Sequence, residues 1–302
     1  MQHIFDMIII GGGPAGYSAA LYASRAGMDC VVLEKMSPGG QMALTDVIDN
    51  YPGFEAGVDG FDLGMKMQTQ AERFGAKTEY AEVTDVDFTE KIKKVRTTAG
   101  EYLSKTVVIA TGANARELGL ENEKEFVGRG VHYCAHCDGR FYKDKIVAVV
   151  GGGNSAVQDA LYLSRLAKKV YLIHRRDTFR ATKIYLSQLE KTKNVEILFN
   201  STVAEILTDE RVSGVKIKDV NTEKTENIVC DGVFVSIGRT PVTEFLKGSV
   251  KLDNGGYVLA DETTKTDVAG VFAAGDVRTK ALRQVVTAVA DGATAVHFAE
   301  EF

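Results

Sequence analysis

Apolar positions along the chain fall into two patterns: short unbroken runs rich in Ile and Val, and longer stretches in which apolar residues recur every three or four positions. Met7 to Ile10 is a run of the first kind. A glycine cluster, a stretch of helical spacing and a second apolar run at Cys30 to Leu33 follow it. That order predicts a strand, a tight turn, a helix and a second parallel strand, the βαβ unit. The pattern then returns. Residues 7–35, MIIIGGGPAGYSAALYASRAGMDCVVLEK, align without a gap on residues 147–175, VAVVGGGNSAVQDALYLSRLAKKVYLIHR, with eight of 29 positions identical. A repeat of this kind predicts two dinucleotide-binding folds in one chain.

The remaining apolar runs suggest how the two folds are nested. Thr106 to Ala110 reads as a buried strand ending in Ala110-Thr111-Gly112-Ala113, and Gly232 to Gly238 as its counterpart in the second copy. Gly270 to Asp276 predicts one more strand with a glycine turn, followed by a helix over 282–298 that has no counterpart in a third unit. Residues 95–102 and 212–228 alternate as antiparallel hairpins do and are expected to cover the sheets. The economical arrangement is an α/β chain of two Rossmann-like domains with the second inserted into the first. Residues 1–112 and 246–302 would form one domain and 113–245 the other, with crossovers near Gly112 to Arg116 and Gly238 to Thr243 acting as a two-stranded hinge.

Composition narrows the classes of function. Thirty-six Lys and Arg against 41 Asp and Glu give a net charge of −5 with no block of five like charges, which argues against a nucleic-acid or anionic-membrane surface. No apolar run approaches the roughly 18 residues of a spanning helix. The amino terminus, Met-Gln-His-Ile-Phe-Asp, has neither a basic region nor an apolar stretch, so a cytoplasmic protein is expected. Thirty glycines against four prolines is unusual, and the glycines cluster at the strand-to-helix turns.

The two glycine loops differ in chemistry. Gly11, Gly13 and Gly16 form G-x-G-x-x-G, whose glycines permit the turn, the approach of a pyrophosphate and close helix packing. Glu34 ends the next strand 18 residues beyond Gly16, where its carboxylate would accept ribose hydroxyls and repel a 2′-phosphate, so this site suits FAD or NAD. The second loop carries Gly151, Gly153 and Ala156. Where the first copy has an acid it has His174-Arg175-Arg176, followed by Arg180, and guanidinium groups are what a 2′-phosphate requires. The second site is expected to prefer NADP.

Four cysteines are too few for a disulfide scaffold, but Cys134-Ala135-His136-Cys137-Asp138 places two as C-x-x-C. A zinc site would need further ligands, and His132 and His136 lie too close in sequence to complete a tetrahedral set, so no metal is expected. An inert buried pair is the bland alternative. The redox reading fits the surroundings better, since C-x-x-C at a helix start brings two sulfurs to bonding distance and lowers a thiol pKa. A protonated His136 would favour a neighbouring thiolate. Cys30 and Cys230 read as small core residues, and His3 and His297 carry no readable chemistry.

Over nearly its whole length the sequence resembles the low-molecular-weight, bacterial-type thioredoxin reductases. The matching pieces occur in family order: Gly11-Gly-Gly-Pro-Ala-Gly16, Gly39-Gly40-Gln41, Asn50-Tyr51-Pro52-Gly53, Ala110-Thr111-Gly112-Ala113, Cys134-x-x-Cys137-Asp138-Gly139, Gly151-Gly-Gly-Asn-Ser-Ala156, His174-Arg-Arg-x-x-Phe-Arg-Ala181, Gly275-Asp276 and Arg283-Gln284. The resemblance implies FAD in the first domain, held by Gly11, Gly13, Pro14, Ala15, Gly16, Glu34, Gly39, Gly40, Gln41, Asn50, Val83, Ala110, Thr111, Gly112, Gly275, Asp276, Arg283, Gln284 and Val285. It implies NADPH in the second, held by Gly151, Gly153, Asn154, Ser155, Ala156, His174, Arg175, Arg176, Arg180, Ile237 and Gly238. By the same resemblance Cys137 faces the flavin, Cys134 attacks the disulfide of thioredoxin and Asp138 protonates a leaving thiolate. A homodimer, and rotation of the second domain about the hinge, are further implications.

Three positions depart from the family pattern: His136 stands where Thr is usual, Gln158 where many relatives have Glu, and Arg140-Phe141 where two aromatics are frequent. A relative that feeds a peroxidase would carry an extra amino-terminal domain, for which a first strand near Met7 leaves no room. A ferredoxin-fed reductase or dithiol oxidase should lack the basic cluster of Arg175, Arg176 and Arg180. A nonenzymatic nucleotide-binding module with structural cysteines is the alternative of a different class.

Overall fold

In the computed structural model, which describes residues 3–45, 47–246 and 248–302, the apolar runs become central strands buried on both faces. The chain divides into two compact units, one running to Asn114 and resuming over Thr240–Phe302, the other spanning Ala115–Arg239.

The first unit opens with β1 (Ile4–Ile10), α1 (Pro14–Arg25) and β2 (Cys30–Glu34), and continues with α2 (Gly60–Glu72), β3 (Lys77–Tyr80), β4 (Val83–Asp87), β5 (Lys93–Thr97), β6 (Gly100–Ile109) and β7 (Ala113–Ala115). Among the described residues its sheet has seven strands, ordered β3-β2-β1-β6-β5-β4, with a later strand also joining β6. Strands β3, β2, β1 and β6 run parallel, while β4 and β5 turn back as an antiparallel hairpin. The period of two along β1 sorts its side chains between two cores. Met7 and Ile9 pack with the alanines of α1, whereas Ile8 and Ile10 pack with Val86 and Val95 of the hairpin.

The second unit carries β8 (Val131–His132), α3 (Ala135–Asp138), β9 (Ile146–Val150), α4 (Asn154–Leu163), β10 (Lys169–Ile173), α5 (Lys183–Leu189) and β11 (Val195–Leu198). A three-stranded antiparallel sheet, β12 (Ser201–Thr208), β13 (Val212–Asp219) and β14 (Thr225–Val229), precedes β15 (Gly232–Val235) and β16 (Arg239–Pro241). The parallel sheet is ordered β11-β10-β9-β15-β8. Its layers repeat those of the first unit: Val147 and Val149 face α4, while Ala148 and Val150 face Ile206 and Val215 of the antiparallel strands. Met7 pairs with Cys30 and Val147 with Val170, the same register in both copies of the repeat. At the two crossovers β7 and β16 pair as a two-stranded sheet.

The chain then completes the first unit with β17 (Val271–Ala273), parallel to β6, and α6 (Val285–Ala299). Helix α6 lies so close to α1 that a Cβ on Gly292 would sit 2.2 Å from the Ala15 carbonyl oxygen. Two boundaries move from their sequence expectations. Strand β1 starts at Ile4, three residues before the apolar run, because Ile4 and Phe5 pair with Leu103 and Ser104 of β6. Helix α6 starts at Val285 rather than 282, because Gln284 takes an extended backbone and forms a capping box with Thr287.

Candidate functional site

In the first unit the glycine loop between β1 and α1 holds the chemistry expected of a pyrophosphate cradle. Gly11 has φ +106°, a conformation that favours glycine, and a Cβ there would sit 2.6 Å from the Ala110 carbonyl oxygen. Gly16 is tighter still, with its missing Cβ only 1.9 Å from the Gly11 oxygen. At Gly13 the opposite holds: an added Cβ would meet nothing within 4 Å. Gly13 is the N-cap of α1 and offers no side-chain cap, so open space stands before amide N–H groups that lack intrahelical partners.

Other expected residues gather at this loop. The Glu34 carboxylate accepts the Gly12 N–H at 2.6 Å and the Met36 N–H at 2.9 Å, which fixes it at the end of β2. The Gly39 N–H donates to the Gly12 carbonyl at 2.8 Å, and a Cβ on Gly40 would lie 3.5 Å from the Gly13 Cα. Ala110 donates its N–H to the Ile10 carbonyl, and a Cβ on Gly275 would meet that of Ala15 at 2.9 Å. At the start of α6 the Gln284 side chain accepts from Asn50 Nδ2 at 2.9 Å, and Val285 packs against the apolar cluster of Met42, Ile48, Val58 and Leu63. The Nε of Arg283 is buried without a hydrogen-bond partner, while its guanidinium lies 4.1 Å from the Tyr257 ring centroid. Gln41 Nε2 donates to Asn114 at 3.0 Å, and the Thr111 hydroxyl donates to the Val242 carbonyl at 2.7 Å. Gly112 has φ +69°. Asp276 is half-buried in the turn after β17, and Val83 opens β4 with its side chain against the hairpin core. Residues 49–55 line an open cleft of ≈ 470 Å³. An orphaned buried donor, an open helix terminus and a fixed acid fit a dinucleotide carrying a flavin.

In the second unit Gly151 adopts φ +152°, and Gly153, the uncapped N-cap of α4, again has nothing within 4 Å of an added Cβ. Asn154 Oδ1 accepts the Thr182 N–H, and the Arg180 N–H donates to the Gly152 carbonyl, both at 2.8 Å. Arg180 is thereby tied to the loop. Arg175, Arg176, Arg180 and Ser155 are exposed, whereas Ala156 is buried. Ile237 and Gly238 follow β15, whose end meets the loop: a Cβ on Gly151 would sit 2.3 Å from the Ser236 oxygen. His174 behaves differently from its arginine neighbours. It is buried beneath Gly152, bonded through Nε2 to the Thr178 carbonyl at 3.1 Å and stacked on Phe179. Burial pushes its pKa down, and the three nearby guanidinium groups add to the fall. It supports the loop from below, and the arginines present the positive charge.

Cys134 and Cys137 form a disulfide, both half-buried, with Cα atoms 5.3 Å apart. Cys134 is the N-cap of α3, and its sulfur accepts the Cys137 N–H at 3.2 Å. The Asp138 N–H donates to the Cys134 carbonyl at 3.1 Å, which draws the carboxylate residue into the same turn. Asp138 Oδ2 lies 2.9 Å from His132 Nδ1, and His132 Nε2 lies 2.6 Å from the Tyr142 hydroxyl. His136 is exposed, with its ring centroid 4.2 Å from that of Tyr162. Nearby on α4, Asp159 accepts the Ser236 hydroxyl, and burial raises its pKa.

A cradle for each of two dinucleotides, one acid-flanked and one arginine-flanked, together with a redox-type disulfide define a two-nucleotide disulfide oxidoreductase. The chain belongs to the pyridine nucleotide-disulphide oxidoreductase family, whose model matches residues 5–292. It is 43% identical to a thioredoxin reductase of Treponema pallidum over 302 residues, all of this chain and 98% of that protein. Among solved structures it is similar to thioredoxin reductase from Streptococcus pyogenes, with TM-score 0.93, 42% identity and coverage of 100% and 98% of the two chains. The Giardia duodenalis thioredoxin reductase gives TM-score 0.94 at 37% identity over 99% of each chain. The chain is an oxidoreductase that uses FAD and NADPH.

Three features of the second and first units escape sequence reasoning. Glu123 is buried and accepts the N–H groups of Leu118, Gly119 and Leu120 and the Tyr133 hydroxyl, fixing the chain just before Cys134. Asp291 of α6 binds Arg278, Lys280 and the Gly275 N–H in a buried ionic knot under the Gly275 turn. His132 and Tyr142 join Asp138 across ten residues with no periodic signal. Tyr133, Arg278 and Lys280 lie ten or more residues from the acids they meet, beyond the reach of a local pattern.

Proposed function

We infer that the protein is an NADPH-dependent thioredoxin-disulfide reductase working through Cys134 and Cys137. The observation that carries this reading is the disulfide at the head of α3 with a carboxylate fixed beside it, in a chain similar over its full length to thioredoxin reductases. The bound groups would supply two-electron chemistry, hydride from NADPH and relay by FAD. The uncapped start of α1 and Glu34 would hold the flavin dinucleotide, with Arg283, Gln284 and Val285 at the start of α6 closing on its ring system. The start of α4 and the side chains of Arg175, Arg176 and Arg180 would hold NADPH, the arginines taking its 2′-phosphate.

Two electrons and one proton entering the Cys134–Cys137 bond would break it and leave the Cys134 thiolate beside the Cys137 thiol. The Cys134 thiolate then attacks one sulfur of the thioredoxin disulfide, forming a mixed disulfide and expelling a thiolate, which takes its proton from Asp138. Cys137 gives its proton to the Asp138 carboxylate and attacks Cys134 in turn, which restores the internal disulfide and releases the second thioredoxin sulfur as a thiolate that takes its proton from water. The paired crossovers β7 and β16 are the segment about which nicotinamide and dithiol would exchange places. A homodimer and a cytoplasmic location, where thioredoxin is kept reduced, belong to the same reading.

An anaerobic titration tests it. NADPH should bleach the flavin absorbance, and oxidised thioredoxin should restore it. A yellow protein that ignores NADPH would put a ferredoxin-fed reductase or a dithiol oxidase in its place.

A further inference from the structure

We propose that His132 is a positioning residue for the thiol-disulfide step, holding Asp138 by one ring nitrogen and anchored by Tyr142 through the other. The inference rests on the assignment of Asp138 as the acid and deepens it. His132 is 6% exposed, too deeply placed to touch a protein substrate, and its ring stacks on Phe234 at 5.1 Å. Tyr142 meets both rings edge-on, at 5.2 Å from His132 and 5.3 Å from Phe234, so the imidazole is packed against two aromatic side chains. Both ring nitrogens are engaged, at 2.9 Å by the Asp138 carboxylate and at 2.6 Å by the Tyr142 hydroxyl.

The partners determine the proton's place on the ring. Burial raises the Tyr142 pKa, with the Asp138, Asp231 and Cys230 charges adding to the rise and Arg211 opposing it. Tyr142 therefore keeps its proton and donates it to Nε2, which must be unprotonated to accept. In the neutral ring the remaining proton then sits on Nδ1 and points at Asp138 Oδ2. One carboxylate oxygen is permanently occupied by this donor, and the other is left to carry the transferable proton. When Asp138 gives that proton to the departing thiolate, its O–H bond breaks, the S–H bond forms and a negative charge appears on the carboxylate. The Nδ1–H is already in place to stabilise that charge, with no solvent reorganisation.

The test compares half-reactions in the flavin-loaded enzyme. His132→Phe keeps the aromatic stack and removes both hydrogen bonds. His132→Asn restores a donor at the Nδ1 position alone. Tyr142→Phe removes only the anchor. His132→Phe should slow reoxidation by thioredoxin about tenfold to a hundredfold, the scale of one lost hydrogen bond to a charged group, while leaving flavin reduction by NADPH unchanged. His132→Asn should recover to within about threefold of the parent, and Tyr142→Phe should fall between the two. A rate for His132→Phe equal to the parent, beside an impaired Asp138→Asn, would refute the role of His132 and spare that of Asp138. An unimpaired Asp138→Asn would overturn both. Independently of turnover, nitrogen-15 spectra of the oxidised protein should show the His132 ring protonated at Nδ1 and bare at Nε2, and the opposite tautomer would end the proposal.

Discussion

Two glycines of the same loop, three residues apart, should respond to alanine in opposite ways. At Gly16 the new methyl group would lie 1.9 Å from the Gly11 oxygen and 3.0 Å from the Gly11 carbonyl carbon, both backbone atoms that cannot rotate away. The loop or helix α1 must shift, which places Gly16→Ala at the upper end of the 1–3 kcal/mol typical of overpacking. About 3 kcal/mol lowers the folded-to-unfolded ratio roughly a hundredfold. For a unit of this size it corresponds to a fall of roughly 6–12 °C in Tm. At Gly13 the methyl group meets nothing within 4 Å, and φ −81° with ψ −174° suits any residue. Alanine there gains about 0.4–1 kcal/mol by restricting the unfolded chain. It loses a similar amount as a poorer N-cap than glycine. The flavin-free protein should therefore keep its stability within about 1 kcal/mol. The same methyl group stands in the space before the free N–H groups of α1, so FAD affinity should drop about tenfold to a hundredfold, the cost of the same overpacking applied to a ligand. Thermal unfolding of the flavin-free proteins measures the first quantity, and quenching of flavin fluorescence on titration measures the second. A Gly13→Ala variant that binds FAD like the parent would refute the placing of the pyrophosphate. A Gly16→Ala variant of unchanged stability would refute the contact argument.

Cys134→Ser should abolish thioredoxin reduction while the flavin is still bleached by NADPH in stopped-flow, and loss of bleaching would contradict the roles of the two sulfurs. Arg175→Ala with Arg176→Ala should raise KM for NADPH by about a hundredfold or more, since two charge-assisted bonds are worth roughly 1.5–3 kcal/mol each, and leave that for NADH nearly unchanged. Equal losses would remove the NADP preference. Asp291 carries a pH signature: burial alone would raise its pKa, but the hydrogen bonds from Arg278 and Lys280 outweigh it and hold the carboxyl below its usual range. Its contribution is therefore complete above the unfolded value of about 3.9 and is lost as pH falls through the lower folded value. Asp291→Asn should cost about 3–5 kcal/mol at neutral pH by leaving two buried cations unpaired. Urea midpoints of variant and parent should converge on acidification, and a gap that widened would refute the assignment.

The repeated βαβ units were legible along the chain, because short Ile and Val runs bounded by glycine suit central parallel strands buried on both faces. So was the sign of charge at each nucleotide loop, since Glu34 and the Arg175-Arg176 pair stand at equivalent ends of the repeat, and the register of β1 with β2 recurs in β9 with β10. The C-x-x-C pair was legible for the same reason, being a contact within one turn. Packing in three dimensions settled that His174 lies beneath its loop while the arginines beside it face outward, because the direction of a side chain at a strand end depends on what packs there. The tertiary structure likewise brought His132 and Tyr142 to Asp138, Glu123 to Tyr133, and Asp291 to Arg278 and Lys280. These are buried polar groups, and each must find its partner within hydrogen-bond reach wherever the chain brings one. A single sequence records the pattern that buries them without recording which partner waits there.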